Sequence, residues 1–235
     1  MSLEICANSV QSAINAQNGG AQRIELCCNL EQGGLTPSPA TIQLVRAHLD
    51  IQVFVLIRPR IGGFYYSPLE FELMHKNIDF CLKSGIDGVV FGVLDAQNEL
   101  DVVRNELLIA AAGKMQKTFH RAFDCLEKPI SSLEQLKKLN FDRVLTSGLA
   151  NTAIEGKKLI KELLEVANGA ITILPGSGLN SQNLAEFLQF TNAEEIHASA
   201  KKIITPKGNH LFSTPYFETD ETEVRQLKAI LQQFT

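Results

Sequence analysis

Three shortages bound this sequence before any motif is read. No apolar stretch reaches the length that spans a bilayer. The N-terminus, Met1-Ser2-Leu3-Glu4, has neither a basic start nor a long apolar run, so no secretory leader is expected. A cytoplasmic protein with no membrane partner is therefore the expectation. Positive charge is also short: Lys and Arg number 22 against 26 Asp and Glu, a net charge of -4. The densest basic cluster, Lys157, Lys158 and Lys161, has helical spacing and reads as a solvated face. Nucleic-acid binding needs a concentrated basic surface, so it is not expected.

Other absences narrow the chemistry. The five cysteines, Cys6, Cys27, Cys28, Cys81 and Cys125, are odd in number and come without an export signal, which argues against a disulfide framework. No Cys-x-x-Cys pair exists, so zinc-ribbon and thioredoxin-type motifs are excluded, and any metal site must be assembled by the fold. No Gly-rich phosphate loop follows the first β-like run, which continues into Ala7-Asn8-Ser9; this weighs against a doubly wound nucleotide-binding sheet. No lysine ends a candidate strand, so Schiff-base aldolase chemistry lacks its nucleophile. Neither His-x-His on the first strand nor His-Glu-x-x-His occurs, which argues against zinc hydrolases.

What is present is alternation. Short β-like runs begin at Leu3 (LEICAN), Arg23 (RIELCC), Gln52 (QVFVLIRP), Gly88 (GVVFGVLD), Lys117 (KTFHRAFD), Arg143 (RVLTSG), Ala170 (AITILPG) and Glu195 (EIHASA). Helical patterns cover Val10–Gln17, Pro39–His48, Glu70–Lys83, Val102–Ala112, Leu133–Leu139, Ile154–Val166, Gln182–Phe190 and Glu221–Gln233. Ser9 or Asn8, Thr36-Pro37-Ser38-Pro39 and Ser67-Pro68 supply helix starts, and Gly19-Gly20 and Gly85 supply ends. Eight strand–helix repeats over 235 residues predict an α/β fold, a single (β/α)8 TIM-type barrel domain spanning 1–235.

Side chains alternate across a strand, so phase selects what faces the barrel interior. Glu4 and Cys6 share a face, as do Glu25 and Cys27, and the two strands should be neighbours. The third strand ends in Arg58-Pro59-Arg60, which puts both arginines on one face. The fifth gives His120, Ala122 and Asp124 one face and Phe119 and Phe123 the other. Buried charges need partners, so Glu25 is expected to pair with a third-strand arginine and to have a lowered pKa. Glu4, Cys6, Glu25, Cys27, Arg58, Arg60, His120 and Asp124 are expected to line one pocket at the C-terminal mouth, where barrel sites form. A buried ionic layer that merely plugs the barrel remains the alternative. His120 is a candidate general acid or base, with Asp124 to orient it. His197, alone between Ile196 and Ala198, reads as a satisfied core group.

Paired thiolates with few other ligands suit Cu(I), although buried cysteines are usually small hydrophobes. Cys28 and Cys81 read as core, and Cys125 stands at the mouth. Pro175-Gly176-Ser177-Gly178 and the segment through Ser199 close the last two strands. Gly176, Ser177, Gly178 and Ser199 are thus a candidate anion site, since barrels bind phosphate through these loops. Lys201–Thr219 has no pattern and reads equally as an active-site loop or a surface loop.

Taken in order, LEICAN, GGAQRIELCCNLEQGGLTPS, VFVLIRPRIGGFYY, GVVFGVL, TFHRAFD, RVLTSG, LPGSGL and HASA resemble the CutC copper-homeostasis family from Leu3 to about Ala200. The resemblance implies a TIM-type barrel, a cytoplasmic location, a homo-oligomer, and Cu(I) bound through two cysteines that map onto Cys6 and Cys27. Cys28 departs from the family's small or polar residue and would add a thiol near the site. Two functions follow: a cytoplasmic Cu(I)-binding protein of copper homeostasis, or an enzyme acting on a small anionic or phosphorylated metabolite. The arginines, histidine and aspartate of the motifs suit an enzyme pocket better than a metal carrier.

Overall fold

The computed structural model describes residues 1–206, 208 and 213–234. Eight parallel strands form the barrel: β1 Ser2–Ala7, β2 Arg23–Leu26, β3 Gln52–Leu56, β4 Gly88–Phe91, β5 Gln116–Phe119, β6 Arg143–Thr146, β7 Thr172–Pro175 and β8 Glu195–Ala198. The helices are α1 Val10–Asn18, α2 Pro39–His48, α3 Pro68–Lys83, α4 Val102–Ala112, α5 Pro129–Lys138, α6 Lys157–Ala167, α7 Leu184–Thr191 and α8 Glu221–Gln232. Hydrogen-bonded ladders run in the order β7-β6-β5-β4-β3-β2-β1-β8, and β7 lies against β8 to close the ring. This is the α/β TIM-type barrel that the alternation predicts.

The helix starts follow from local chemistry. Ser9, Ser38 and Ser67 each accept a backbone N–H with the side-chain hydroxyl, and Ser67 with Glu70 completes a reciprocal capping box ahead of α3. Pro39 and Pro68 sit in the first turn, where a missing N–H costs nothing.

Apolar packing falls into two layers. The larger, between strands and helices, contains Ile5, Ile24, Val53, Val55, Val89, Phe91, Phe119, Val144 and Ile173 with the inner faces of the helices. The smaller lies inside the barrel and comprises Cys6, Cys27, Phe54, Leu56 and Val90. The lower barrel is ionic. Arg23 bonds to Glu4 and, at 2.5 Å, to Glu195. Arg143 bonds to Glu195 at 2.9 Å and to Gln116 at 2.5 Å. Both guanidiniums also lie against the Phe54 ring, at 5.0 and 5.3 Å. The charges are therefore neutralised by arginines at the first positions of β2 and β6, not by the third-strand arginines. The signal was present: Arg23 shares the phase of Glu25, two residues earlier.

Three sequence expectations are corrected. β5 stops at Phe119, and 121–125 form a short 3-10 turn with His120 as its cap; strand alternation therefore does not extend to Asp124. Arg60 lies beyond the end of β3 and turns outward to Glu70 and the Tyr65 carbonyl, at 2.6 Å each. The segment after β8 is a hairpin of β9 Lys201–Ile204 and β10 Tyr216–Thr219, antiparallel to each other. It packs on α1, with Asn8 and Asn15 donating to the Phe217 and Thr219 carbonyls. Residues 207 and 209–212 of that segment lie outside the described residues.

Glycine makes the interior fit. A Cβ at Gly88 would stand 2.6 Å from the Phe54 ring that carries the two arginines. Gly88→Ala should displace that ring and cost about 1–3 kcal/mol, the usual cost of overpacking a core. Urea unfolding measures it, and an unchanged midpoint would show that Phe54 is not pinned.

Candidate functional site at the barrel mouth

A cavity of about 730 Å³ opens at the C-terminal ends of the strands. Its floor is made by β1, β2 and β8. Parallel register sets Glu4 beside Arg23 and His197, and Cys6 beside Glu25. The two Glu-x-Cys pairs are thus offset by two residues along the barrel axis, so Glu4 lies one layer below Glu25. All four side chains face the interior, but they do not all reach the cavity: Cys6 and Glu25 line it, whereas Glu4, a layer below, and Cys27, a layer above Cys6, are buried and do not.

The floor is tightly wired. Glu4 is buried, which opposes its charge, but Arg23 and a hydrogen bond from His197 win and hold its pKa at about 2. The His197 ring donates from Nδ1 to Glu4 Oε1 at 2.7 Å and directs Nε2 toward Glu25 at 3.6 Å. Burial works against a charged His197 ring, but Cys6, Glu4 and Glu25 together raise its pKa well above the ordinary value. Among the described residues, no arginine pairs with Glu25. Burial pushes its carboxyl up to about 7, with the attraction of His197 the leading opposing influence. Both the expected pairing of Glu25 with the third strand and its lowered pKa are therefore corrected. The reading of His197 as a core group is corrected too: it lines the cavity and joins Cys6 and Glu25, with one ligand atom from each lying within 4.8 Å of the others.

The two thiols meet with Sγ atoms 3.6 Å apart. The contact with Cys27, followed by burial, raises the Cys6 pKa well above the ordinary thiol value. Cys28 does not add to this pair: it is half-buried and its thiol donates to the Thr36 carbonyl at 3.3 Å. Cys81 is core, and Cys125 is exposed on the cavity rim.

The walls come from loops after β3, β5, β6 and β7. Arg58 lines the cavity and is clamped by the Gln32, Gly34 and Gly62 carbonyls at 3.2, 3.0 and 2.9 Å. The His120 ring packs on Phe64, with centroids 4.7 Å apart, and its Nδ1 accepts the Ala122 N–H at 3.2 Å. Gly92 clears room for it, since a Cβ there would stand 2.8 Å from Nδ1. Burial, and then the Arg58 charge, push the His120 pKa down to about 3. The ring is neutral at physiological pH.

Asp124 lines the cavity but does not orient His120. Its carboxylate accepts from the Thr146 hydroxyl at 2.5 Å, from the Ser147 hydroxyl at 3.0 Å, and from the Ser147 and Leu149 amides. It also takes a bond from Arg121 at 2.8 Å. Asp124 thus holds the loop after β6 in place. Arg121, on the 3-10 turn, lines the cavity together with His120 because the turn abandons strand alternation. Ser177, Gly178 and Ser199 stand on the opposite wall, and Ser177 and Gly178 both have φ of 78°. The Ser177 hydroxyl donates to the Asn151 carbonyl at 2.8 Å. Gly176 lies below, where a Cβ would stand 3.2 Å from the His197 ring; it gives that ring its space and does not line the cavity.

A TIM-type barrel whose open mouth leads down to a thiol, imidazole and carboxyl floor is the class that fold and site define. The chain belongs to the CutC family, whose model matches residues 1–202. It is 43% identical over 239 residues to the family protein CutC of Xylella fastidiosa, across 98% of this chain and 89% of that one. It is 42% identical over 240 residues to the copper homeostasis protein cutC homolog of Homo sapiens, across 97% of this chain and 88% of that one. Among solved structures, a copper homeostasis protein CutC assignment from Streptococcus agalactiae superposes with a TM-score of 0.81 at 34% identity, covering 85% of this chain and 98% of that one. Among the described residues, no helix is long and apolar enough to cross a membrane.

The floor predicts a specific pH response. Glu25 should titrate near pH 7 in carboxyl-carbon NMR. Its folded pKa stands above the ordinary value of 4.5, so between those pH values the folded state keeps a proton that the unfolded chain has released. Stability therefore falls as pH rises through that window. In Glu25→Gln the fall should be shallower in urea unfolding between about pH 5 and 8. Equal slopes in the two proteins would remove Glu25 as the source.

Proposed function

We propose that this CutC-family chain is a cytoplasmic protein of copper homeostasis that takes Cu(I) as its cargo at Cys6 and Cys27. The observation that carries this is the 3.6 Å separation of the two sulfurs. Two metal–sulfur bonds of about 2.3 Å reach across up to roughly 4.6 Å, so both thiols can serve one ion without backbone movement. The donor set fits as well. Two soft thiols suit Cu(I), and the His197 imidazole can join them once its Nε2 proton leaves, whereas the harder Glu25 carboxyl is a poor ligand for it and serves better as a neighbouring proton acceptor. Cys6 faces the cavity and provides the entry side; Cys27 is sealed behind it. The homo-oligomer implied by the family resemblance is part of the same proposal.

Competition titration against a colorimetric Cu(I) chelator tests the reading. One equivalent of tight Cu(I) should be lost in Cys6→Ser and in Cys27→Ser and retained in Cys28→Ser and Cys125→Ser. Affinity should also rise with pH, by about tenfold per unit for each thiol proton expelled, because the Cys6 thiol is held protonated at neutral pH. Unchanged affinity in the double Cys6→Ser, Cys27→Ser variant would sink the copper site.

A second reading has its own observation. A cavity of about 730 Å³ is far larger than one ion needs and matches the size of small-molecule sites. In this reading Arg58, His120 and Arg121 on one wall, and Ser177, Gly178 and Ser199 on the other, receive a small anionic or phosphorylated metabolite. Glu25, with its pKa near 7, is then the group fit to exchange a proton with it. Glu4 and Asp124 position their neighbours, and Arg60 and Gly176 take no direct part.

A further inference from the structure

We propose that Arg58 and His120 form a carboxylate-binding subsite on the cavity wall, so that the small molecule received at the mouth is an organic acid. This rests on the second reading above and is independent of copper.

Two unpartnered donors carry the proposal. Arg58 and His120 both line the cavity and are 8% and 4% exposed. Arg58 spends its terminal nitrogens on three backbone carbonyls, yet its Nε is buried with no partner. His120 Nε2 is buried with no partner either. A buried donor left unpaired costs about 1–3 kcal/mol, so two of them lining one cavity are expected to find an acceptor there. The tautomer of His120 follows from its other nitrogen. Nδ1 accepts the Ala122 amide proton, so a neutral ring must carry its hydrogen on Nε2. Arg58 reinforces this, because a second positive charge beside a buried guanidinium is disfavoured. His120 is therefore a neutral N–H donor rather than the general base that its residue type suggests.

Phe64 fixes the geometry of the pair. The guanidinium lies 5.4 Å from the centre of its ring, and the imidazole 4.7 Å. Both donors are thus immobilised before any ligand arrives. The wall around them is apolar, with Phe64 and Leu56. Two N–H donors and one positive charge match the two oxygens and single charge of a carboxylate. A phosphate dianion would bring a further oxygen and a second charge, which one guanidinium and one neutral imidazole do not match. The nearby Asp124 carboxylate does not compete for the pair, since its own donors come from Arg121, Thr146, Ser147 and Leu149.

The test uses the full chain labelled with 15N-histidine and a backbone label, titrated separately with malonate and with inorganic phosphate. Malonate should move the His120 Nε2 resonance saturably, and should bind more tightly there than phosphate. Calorimetry on Arg58→Lys and His120→Asn should then show malonate affinity reduced by about tenfold or more, the value of one charge-assisted hydrogen bond. His120→Asn keeps a side-chain acceptor for the Ala122 amide and removes only the outer donor, so it guards against a folding loss in Arg58→Lys. An His120 resonance that malonate does not move, or a His120→Asn protein that binds it like wild type, overturns the proposal. If malonate moves only the Ser177 and Gly178 amides, the subsite is wrong while the mouth remains an anion site. If neither anion moves any cavity resonance, the second reading falls with it. Tighter phosphate than malonate binding at His120 overturns the carboxylate assignment.

Discussion

The buried ion pair between Arg23 and Glu4 is the contact on which the site is built. Both groups are almost wholly removed from water, so neither can be tolerated without the other. Glu4 then spends its second oxygen on His197 Nδ1, which fixes the orientation of that ring and directs Nε2 upward to Glu25 and Cys6. Arg23 spends its remaining reach on Glu195, and Glu195 holds Arg143. One ionic layer at the bottom of the barrel therefore closes the fold across β1, β2, β6 and β8 and aims the His197 imidazole above it. The alternative of a plug and the alternative of a site are not exclusive: the plug is the support of the site.

Above that layer the charges are deliberately unequal. Glu4 has an arginine and an imidazole bonded to it and stays ionised, whereas Glu25 has the imidazole and a more distant Arg23 and is pushed toward neutrality by burial. His197 stands between them and His120 stands across the cavity; the first is surrounded by carboxyls and thiol, the second by a guanidinium and aromatic rings. The same residue type is thus driven in opposite directions a short way apart. Pairs of titratable groups whose environments separate them in this way are a mark of functional sites, although structural ion networks do the same.

The mouth accordingly has two chemically distinct parts. The floor offers soft sulfur and imidazole donors and belongs to the copper reading. The walls offer guanidinium, neutral imidazole N–H and loop amides, which are donors for oxygen anions. A metal ion does not need the walls, and an organic acid does not need the second thiol. Membership of the CutC family is compatible with both, and the two are separable by substitution at Cys27 on one side and at Arg58 or His120 on the other, which only one reading uses.

The alternation of runs determined the barrel by itself, since strand and helix periods are local properties and eight repeats allow few other closures. Phase likewise assigned Glu4, Cys6, Glu25 and Cys27 to the interior, because a strand has only two faces. Even Arg23 was legible, two residues before Glu25, although its position at the start of a strand drew no notice. What only the tertiary structure decided was height and partnership. The two-residue offset between β1 and β2 sets Glu4 a layer below Glu25, and no local pattern encodes the stagger between neighbouring strands. His197 looked isolated because its partners, Glu4 and Glu25, lie 193 and 172 positions away in the chain and meet it only when the barrel closes. The roles of His120, Asp124 and Arg60 also escaped the sequence, since strand phase loses its meaning where a strand ends. The 3-10 turn after Phe119 and the loop after Leu56 re-aim those side chains by contacts with distant backbone, which the pattern of neighbouring residues does not contain.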